Sequence, residues 1–294
     1  MIWDLIALGE TMVAFTPPAG GSLRTAAHVA VDHAGAESNT CVGLARLGFR
    51  VAWVSRLGDD PAGDRIAATL AAEGVDTRWV RRDPSRPTGL MLKEAGRVRY
   101  YRSGSAASAI STADLDGVPI DTARAVLVTG VTALIGAEPH EAGRALLSRA
   151  SGLRIVDPNL RDGLWGSHRR AELVVAYVDR CDLLLAGETE LRELVGAADD
   201  EALARRAADR GPREVVVRGA HGVGALCDGA WRTLPISRGA AVDPIGAGDA
   251  FNAGYIAVRL RGGSIEDALA AGVRCGTAVT TAPSDTAAFP RSLA

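Results

Sequence analysis

The chain is organised around one stretch, Val242-Asp243-Pro244-Ile245-Gly246-Ala247-Gly248-Asp249-Ala250-Phe251. Proline disfavours helical angles in the residue before it, so Asp243 is expected to be extended. Gly246 and Gly248 leave the backbone uncovered, and apolar residues at helical spacing begin at Ala250. The stretch therefore predicts backbone N–H groups gathered at a helix N-terminus, which suits an anion. Because tight turns also use glycine for its conformational freedom, spacing alone leaves a purely structural turn as an equal alternative.

Asp249 lies in the first turn of this predicted helix. A carboxylate beside an anion site is placed to take a proton from an attacking hydroxyl. Because helix-terminal N–H groups stabilise negative charge, we expect a lowered pKa for Asp249 and an ionised side chain at neutral pH.

Composition narrows the class of protein. The 294 residues carry a net charge of −2, so no nucleic-acid partner is indicated. Aromatic residues make up only 4% of the chain against 47% hydrophobic residues overall, which favours a core of small aliphatic side chains. Lys93 is the sole lysine, so chemistry that depends on lysine has a single candidate.

Cysteine usage and the apolar runs predict a cytoplasmic protein. The four cysteines are far apart and form no C-x-x-C pair, so they are expected to be buried thiols in a reducing compartment. The first residues lack a basic segment followed by a long apolar one, and no apolar run reaches membrane-spanning length. We therefore expect no signal peptide and no membrane partner.

Apolar runs alternate with helical patterns along most of the chain. This alternation predicts an α/β fold, a doubly wound parallel sheet with helices on both faces. Short runs such as Val75–Val80 and Ala125–Thr129 are expected strands. Parallel sheets bind ligands beyond the carboxyl ends of their strands. That edge should hold Gly9, Gly58, Gly130, Asp157, Asn159, Gly187 and Gly219.

Four strand-like runs depart from this alternation and predict a small β-sheet lid. They are Met12–Thr16, Ala27–Val31, Thr88–Lys93 and Arg97–Arg102. The expected division gives residues 10–33 and 87–103 to the lid, and 1–9, 34–86 and 104–294 to the main α/β domain. Because such a sheet cannot bury both faces by itself, one face should cover the main domain, a second subunit, or both.

Several common catalytic motifs are missing from the sequence. It contains no Walker phosphate loop, no G-x-G-x-x-G after the first strand, no H-E-x-x-H and no G-x-S-x-G. Hydride transfer is disfavoured on this ground. An anion site, a base and a covering sheet suit phosphoryl transfer, which needs positioning, charge neutralisation and exclusion of water.

The motifs together resemble the ribokinase-like (PfkB-type) carbohydrate kinases. The stretch at Asp243–Phe251 is similar to their C-terminal signature. Gly35–Asn39, Gly43–Gly48 and Gly58–Gly63 are similar to their N-terminal one. The resemblance covers essentially the whole chain. It implies a ribokinase-like fold whose lid often serves for dimerisation, hence a homodimer, and ATP and Mg²⁺ as cofactors; a need for a monovalent cation stays open.

The resemblance also implies roles for individual positions. Asp249 would take the proton from the acceptor hydroxyl, while the backbone N–H groups of Gly246, Ala247 and Gly248 bind the transferring phosphate. Gly35 and Asn39 match positions that bind substrate hydroxyls.

The nucleotide and metal positions follow in the same way. Gly219, Ala220 and Gly222 match the loop under ATP, and Arg218 stands where related kinases often carry lysine. Glu190 matches a residue that acts on Mg²⁺ through water, although Gly187 replaces the asparagine that opens that motif.

One branch of the family, the kinases of 2-keto-3-deoxygluconate, is similar at further positions. These are Tyr100-Tyr101-Arg102-Ser103-Gly104-Ser105-Ala106 and Asp157-Pro158-Asn159-Leu160-Arg161. The substrate would be a sugar acid. Arg102 and Arg161 could form ion pairs with its carboxylate, and Tyr100 could cap the sugar. The alternatives are a fructokinase or ribokinase acting on a neutral sugar, and a sugar- or nucleoside-binding module without catalysis.

Overall fold

The structure is a computed structural model that describes residues 2–18, 21–94, 97–161, 164, 169–219, 222–236, 245–282 and 284–293. The strands in these residues are β1 (Leu5–Leu8), β2 (Met12–Thr16), β3 (Ala30–Ala34), β4 (Val51–Gly58), β5 (Val80–Asp83), β6 (Leu90–Glu94), β7 (Arg97–Tyr101), β8 (Ala125–Thr129), β9 (Leu153–Asp157), β10 (Leu183–Gly187), β11 (Glu214–Arg218), β12 (Gly222–Cys227) and β13 (Ala230–Pro235). The helices are α1 (Ala36–Arg46), α2 (Pro61–Ala72), α3 (Gly130–Leu134), α4 (Ala137–Arg149), α5 (Arg170–Val178), α6 (Glu188–Val195), α7 (Asp200–Ala208), α8 (Ala247–Leu260) and α9 (Ile265–Val279).

Nine strands form one large, mostly parallel sheet. Their order is β13-β12-β11-β10-β9-β8-β1-β4-β5. The seven strands from β11 to β5 are parallel, which confirms the predicted fold class. The strands β12 and β13 run antiparallel at one edge and were not predicted. They join through Asp228 and Gly229, both with positive φ (48° and 78°), as a two-residue hairpin requires.

Helices cover both faces of this sheet and give it two cores. Alternate residues of β1 point to opposite sides, so Ile6 and Leu8 pack in one core and Leu5 and Ala7 in the other. The first core takes in side chains of α3 to α7, and the second those of α1, α2, α8 and α9. The strands are continuous apolar runs because both of their faces are buried.

The predicted small sheet is present as a separate sheet of four strands in the order β3-β2-β6-β7. Only the β2–β6 pair is parallel. Met12, Ala34 and Met91 pack on the face turned towards the large sheet. The division of the whole chain into a lid and a main domain stays a prediction.

Two predicted strands were wrong in position. The run Ala27–Val31 is replaced by β3, because Met12 pairs with Ala34 and the strand continues almost to α1. The run Val75–Val80 gives only an isolated bridge at Asp76 before the chain turns. The Asp76 side chain accepts a hydrogen bond from the Arg78 N–H at 3.0 Å, a local turn that delays the strand to Val80.

No helix in the described part of the chain is long and apolar enough to cross a membrane.

Candidate active site

A cavity of about 430 Å³ lies between the carboxyl edge of the large sheet and the inner face of the small sheet. Met91 and Tyr100 line it from the small sheet, and Asp157 lines it from the end of β9. Gly246 and Asp249 line it from the start of α8. The position agrees with the rule that open α/β sheets bind ligands beyond the carboxyl ends of their strands.

The predicted glycine turn precedes α8. Gly246 is the N-cap residue, and its φ of 84° favours glycine. A Cβ atom there would also lie 2.8 Å from the carbonyl oxygen of Asp285. Gly246 has no side chain with which to cap the first turn, so the N–H groups of Ala247 and Gly248 begin the 14-residue helix without a cap from that residue. Such a terminus attracts an anion. Residues 242–244, at the start of the decisive stretch, lie outside the described residues.

Asp249 is buried in the first turn of α8, and its Oδ2 accepts a hydrogen bond from Asn39 Nδ2 at 2.8 Å. Burial, together with the nearby charges of Asp157 and Asp285, raises the pKa of Asp249 to about 8. The expected lowering of this pKa was therefore wrong. A helix terminus contributes up to ~2 kcal/mol in partly buried sites. Desolvation shifts a fully buried carboxyl by up to about 3–5 pKa units in the opposite direction.

Gly35 and Asn39 lie at the start of α1, facing the cavity. A Cβ atom on Gly35 would lie 2.4 Å from the carbonyl oxygen of Glu10, so only glycine fits there without displacing the backbone. Asn39 is buried, and its Oδ1 has no hydrogen-bond partner among the described residues. Because Asn39 lines the cavity, its side chain is a candidate partner for a ligand hydroxyl.

Arg102 is already balanced within the protein, which sequence reasoning missed. Its Nε lies 2.6 Å from Glu10 Oε2 as an ion pair, although out of line for a hydrogen bond. Ser105 Oγ donates to the other oxygen of Glu10 at 2.7 Å. The guanidinium carbon lies 5.0 Å from the centre of the Tyr100 ring, within range of a cation–π contact. Glu10 therefore holds Arg102, and Arg102 in turn contacts Tyr100; both were predicted to bind the sugar.

Arg161 differs from Arg102. It is exposed, it lines the cavity, and its Nη1 donates a hydrogen bond to the neighbouring carbonyl oxygen of Leu160 at 3.1 Å. Among the described residues it forms no ion pair, and its charge lowers the pKa of both Asp249 and Glu190. Arg161 is therefore the cavity arginine whose charge is least engaged by carboxylates of the protein, and it is the best placed to bind an anionic ligand.

Arg218 lies inside the site, at the end of β11. Its Nη2 is 3.4 Å from both carboxylate oxygens of Asp157 and 3.8 Å from Glu190 Oε2. Its Nη1 reaches Asn252 Oδ1 at 2.5 Å and the Gly248 carbonyl oxygen at 3.5 Å. Asn252 in turn donates to Asp157 at 2.6 Å. Sequence reasoning missed Asn252, although it lies one helical turn beyond Asp249 on the same face of α8.

Glu190 has structural partners besides this charge cluster. Its two oxygens accept hydrogen bonds from the N–H groups of Gly187, at 2.7 Å, and Leu160, at 3.0 Å. Burial and the charge of Asp157 raise its pKa. In the part of the chain that the structure describes, no three metal-binding side chains form a cage. Because both Glu190 oxygens already accept backbone hydrogen bonds, this carboxylate fits a hydrated Mg²⁺, whose waters would donate to it, better than a directly bound one.

The predicted nucleotide loop is described only in part. Gly219 follows β11, and its N–H donates to the carbonyl oxygen of Gly222, the first residue of β12, at 2.9 Å. Ala220, which was also predicted to contact the nucleotide, lies between them and outside the described residues.

Asp285 and Lys93 border the site, and neither was predicted there. Asp285 lines the cavity from the segment after α9, and its Oδ2 lies 3.4 Å from Asn39 Nδ2. Lys93, on β6, forms a buried ion pair with it. The sequence singles out Lys93 as the only lysine, but its partner is 192 positions away, a distance that no local pattern covers.

Comparison with known proteins gives a full-length match. Residues 4–291 match the family described as pfkB family carbohydrate kinase. The chain is 33% identical to the 2-dehydro-3-deoxygluconokinase of Bacillus subtilis, covering 98% of this chain and 92% of that protein. It is also 32% identical to fructokinase-1 of Oryza sativa subsp. japonica, covering 84% of this chain and 80% of the relative.

Solved structures agree with this match. A PfkB protein from Polaromonas sp. is 33% identical and superposes with a TM-score of 0.87, covering 96% of this chain and 98% of that one. A fructokinase double mutant from Vibrio cholerae, described with fructose, ADP and potassium ion bound, is 25% identical with a TM-score of 0.88. That comparison covers 98% of this chain and 96% of the other.

Proposed function

The chain belongs to the pfkB family of carbohydrate kinases, and we propose that it transfers the γ-phosphate of ATP to a hydroxyl of a sugar acid, 2-keto-3-deoxygluconate. The observation that carries the proposal is one cavity that holds a buried carboxyl, a helix N-terminus whose N-cap residue is glycine, and the cation of Arg161. The relative from Bacillus subtilis, whose name refers to 2-dehydro-3-deoxygluconate, the same sugar acid, supports the choice of substrate.

In this proposal Asp249 is the general base. Its carboxylate accepts the proton of the acceptor hydroxyl as that oxygen attacks the γ-phosphorus, and the bond to the β-phosphate oxygen breaks to release ADP. Asn39 orients the carboxylate through the 2.8 Å hydrogen bond to Oδ2. The raised pKa means that most of the protein carries a protonated Asp249 at neutral pH, and the ionised fraction grows as the pH rises towards 8.

The first turn of α8 is the proposed site of the transferring phosphate. The backbone N–H groups of Gly246, Ala247 and Gly248 would stabilise negative charge on its oxygens. Arg218 adds a guanidinium directly behind Gly248, since a Cβ atom on that glycine would lie 3.8 Å from its Cζ.

ATP and its metal would occupy the side of the cavity near β11. Gly219, Ala220 and Gly222 would contact the nucleotide. Glu190 would hold Mg²⁺ through water, and the bound ion would neutralise part of the phosphate charge. A monovalent cation is a further candidate, on the strength of the potassium in the related fructokinase. Omitting potassium from the assay tests that requirement.

The sugar acid would lie under the small sheet. Arg161 would pair with the carboxylate, and Gly35 and Asn39 would bind hydroxyls. Arg102 would act with its charge already balanced by Glu10, so its contribution to carboxylate binding is expected to be the smaller one. Tyr100 would cap the sugar from above, held by the same guanidinium.

A neutral-sugar kinase is the second candidate. It is favoured by the pairing of Arg102 with Glu10, which removes one of the two cations expected for a carboxylate, and by the similarity to the rice fructokinase. A binding module without catalysis is disfavoured because Asp249 and the glycine turn at Gly246 lie in one cavity.

The test is a panel of sugars with ATP and Mg²⁺, read by release of ADP, for the wild type, Arg161→Ala and the outer-face control Arg99→Ala. We expect 2-keto-3-deoxygluconate to give the highest kcat/KM. The Arg161→Ala change should lower it by about 10–100-fold, since hydrogen bonds to charged groups contribute about 1.5–3 kcal/mol. Fructose and ribose should respond little. A preference for fructose, or an equal loss on acidic and neutral sugars, would favour the second candidate.

A further inference from the structure

The only lysine of the chain lies at the boundary between the small sheet and the active site. Lys93 is on β6, on the same face as Met91, which lines the cavity. Its ammonium group forms an ion pair with the carboxylate of Asp285, and the two residues are only 5% and 3% exposed. Neither residue has a part in the phosphoryl transfer described above.

Stability alone does not account for this pair. Removing two charges from water costs several kcal/mol per ion, and well-packed apolar residues often serve stability as well as a buried ion pair does. The pair instead links two parts of the molecule, because Lys93 belongs to the small sheet and Asp285 to the segment after α9.

Asp285 lies against both working parts of the candidate site. Asn39 Nδ2 is 2.8 Å from Asp249 Oδ2 and 3.4 Å from Asp285 Oδ2, so one amide group faces both carboxylates. The backbone of Asp285 passes so close to Gly246 that a Cβ atom there would lie 2.8 Å from its carbonyl oxygen. A movement of Asp285 would therefore reach the proposed base and the proposed phosphate turn together.

A second contact ties the same segment to the small sheet. Ser284 Oγ donates to Asp32 Oδ2 on β3 at 2.5 Å. Adjacent residues 284 and 285 thus contact two different strands of that sheet. The position of the sheet over the cavity fixes where the Asp285 carboxylate lies.

We propose that Lys93 is a positioning residue that couples the position of the small sheet to the proposed catalytic base through Asp285 and Asn39. With the sheet over the cavity, the ammonium group holds the Asp285 carboxylate and leaves the Asn39 amide to Asp249. With the sheet raised, Asp285 loses that cation, competes for the amide and adds negative charge beside the base. The base would then be fully active only when the sheet excludes water. This inference rests on the proposed role of Asp249.

The charged groups around Asp249 make the coupling measurable. Asp157 from β9 and Asp285 raise the pKa of Asp249, and Arg161 after β9 lowers it. Arg218 from β11 interacts electrostatically with it as well. A change at Lys93 alters the influence of Asp285 and leaves the other three groups in place.

The experiment is the pH dependence of kcat/KM for Lys93→Met, Asp285→Asn, the double variant and a control, Arg99→Met. Arg99 lies on the opposite face of the small sheet, so its loss removes the same charge without touching Asp285. We expect Lys93→Met to move the acid limb upward by about 1–2 pH units, the size of effect that a nearby charge produces. Its rate should approach the wild-type rate at alkaline pH. Asp285→Asn should move the limb downward, and the double variant should lie at or below the wild-type position.

A second measurement does not depend on activity. In protein grown with ¹⁵N-labelled lysine, the chain gives one lysine side-chain signal, because Lys93 is the only lysine. We expect Asp285→Asn to shift or broaden that signal, and saturating sugar to shift it in the wild type. This measurement also covers the case in which Lys93→Met folds poorly.

The outcomes separate the two proposals. A wild-type pH profile in Lys93→Met, or a loss that is equal at every pH, overturns the coupling. The coupling is also overturned if the lysine side-chain signal is unchanged both in Asp285→Asn and on addition of the sugar. Full activity in Asp249→Asn would instead overturn the base assignment, whatever the lysine variants do.

Discussion

At the scale of single residues, Asp249 is placed between two opposing influences. The start of α8 favours its charged form, and burial beside Asp157 and Asp285 disfavours it. Burial prevails, because the carboxyl group has lost contact with water and two other carboxylates lie nearby. A base with a pKa near the working pH combines a useful ionised fraction with a strong attraction for the proton. The same burial that costs stability therefore suits the proposed chemistry.

Asp249→Asn tests that role directly. Asparagine keeps the shape and a hydrogen-bonding oxygen but cannot accept the proton, so kcat should fall by about 10²–10⁴-fold, the usual contribution of general base catalysis. Sugar binding, measured by calorimetry without ATP, should persist, because Gly35, Asn39 and Arg161 are untouched. A turnover close to wild type would remove Asp249 from the mechanism.

The raised pKa of Asp249 also predicts how stability depends on pH. Since the pKa of Asp249 is about 8 in the folded protein against an ordinary value of 3.8, the folded protein binds more protons than the unfolded chain between these limits. The contribution of Asp249 to stability is therefore fully present below about pH 4 and is lost as the pH rises towards 8. The free energy of unfolding, measured with urea at several pH values in this range, should fall as the pH rises in the wild type. The fall should be smaller in Asp249→Asn. Parallel curves for the two proteins would contradict the shifted pKa.

Residues that belong to short motifs could be predicted, and the partners that the fold brings to them from elsewhere in the chain could not. The glycine turn and Asp249 form one short segment whose spacing carries the information. The pairing of Glu10 with Arg102 spans two segments about ninety positions apart, and no local pattern records it. The wrong expectation for the pKa of Asp249 has the same origin, since it considered the helix terminus and left out the carboxylates that the fold adds.

At the scale of elements, the start of α8 depends on Gly246. Its φ of 84° is strained for any residue with a Cβ atom, and that atom would lie 2.8 Å from the Asp285 carbonyl oxygen. Gly262 makes a matched control, because its φ is 77° and nothing lies within 4 Å of a Cβ atom built there.

We expect Gly246→Ala to lower the free energy of unfolding by about 2–3 kcal/mol and Gly262→Ala by about 1 kcal/mol, since a left-handed non-glycine residue costs of order 1–3 kcal/mol. The difference between them measures the close approach of Asp285. Gly246→Ala should also weaken nucleotide binding, while Gly262→Ala should not. Equal losses of stability would mean that the backbone at Asp285 gives way.

Element boundaries show which signals were readable. The parallel strands are predictable because apolar runs and helices alternate, and Ala125–Thr129 is found with its predicted bounds. The antiparallel pair β12 and β13 could have been predicted, because Asp228-Gly229 is a preferred residue pair for a two-residue hairpin. The position of β3, three residues later than predicted, could not be predicted, because its register is set by pairing with β2 across a long connection.

At the scale of the whole molecule, the small sheet separates two environments. Its inner face carries Met91, Lys93 and Tyr100 towards the cavity, while Phe15, Leu92 and Tyr101 lie on the opposite face. Tyr101 is 55% exposed, which is unusual for a large apolar side chain in this structure. Tyr101 and Arg99 are both exposed on this face, and tyrosine and arginine are enriched at protein–protein interfaces. This arrangement supports the proposal of a homodimer formed through the lid.

The outer face can be tested by adding a charge. We expect the wild type to elute as a dimer in size-exclusion chromatography with light scattering. Tyr101→Arg should shift it towards the monomer, because an unpaired charge at the centre of an interface must lose its water on association. Ile2→Arg is the control: Ile2 is also exposed, at 61%, but lies outside the small sheet. If the wild type is monomeric, or if both variants remain dimers, the lid does not form the interface. If Tyr101→Arg is monomeric and also less active, the dimer contact helps to hold the small sheet over the cavity, and the loss should then be larger in KM for the sugar than in KM for ATP.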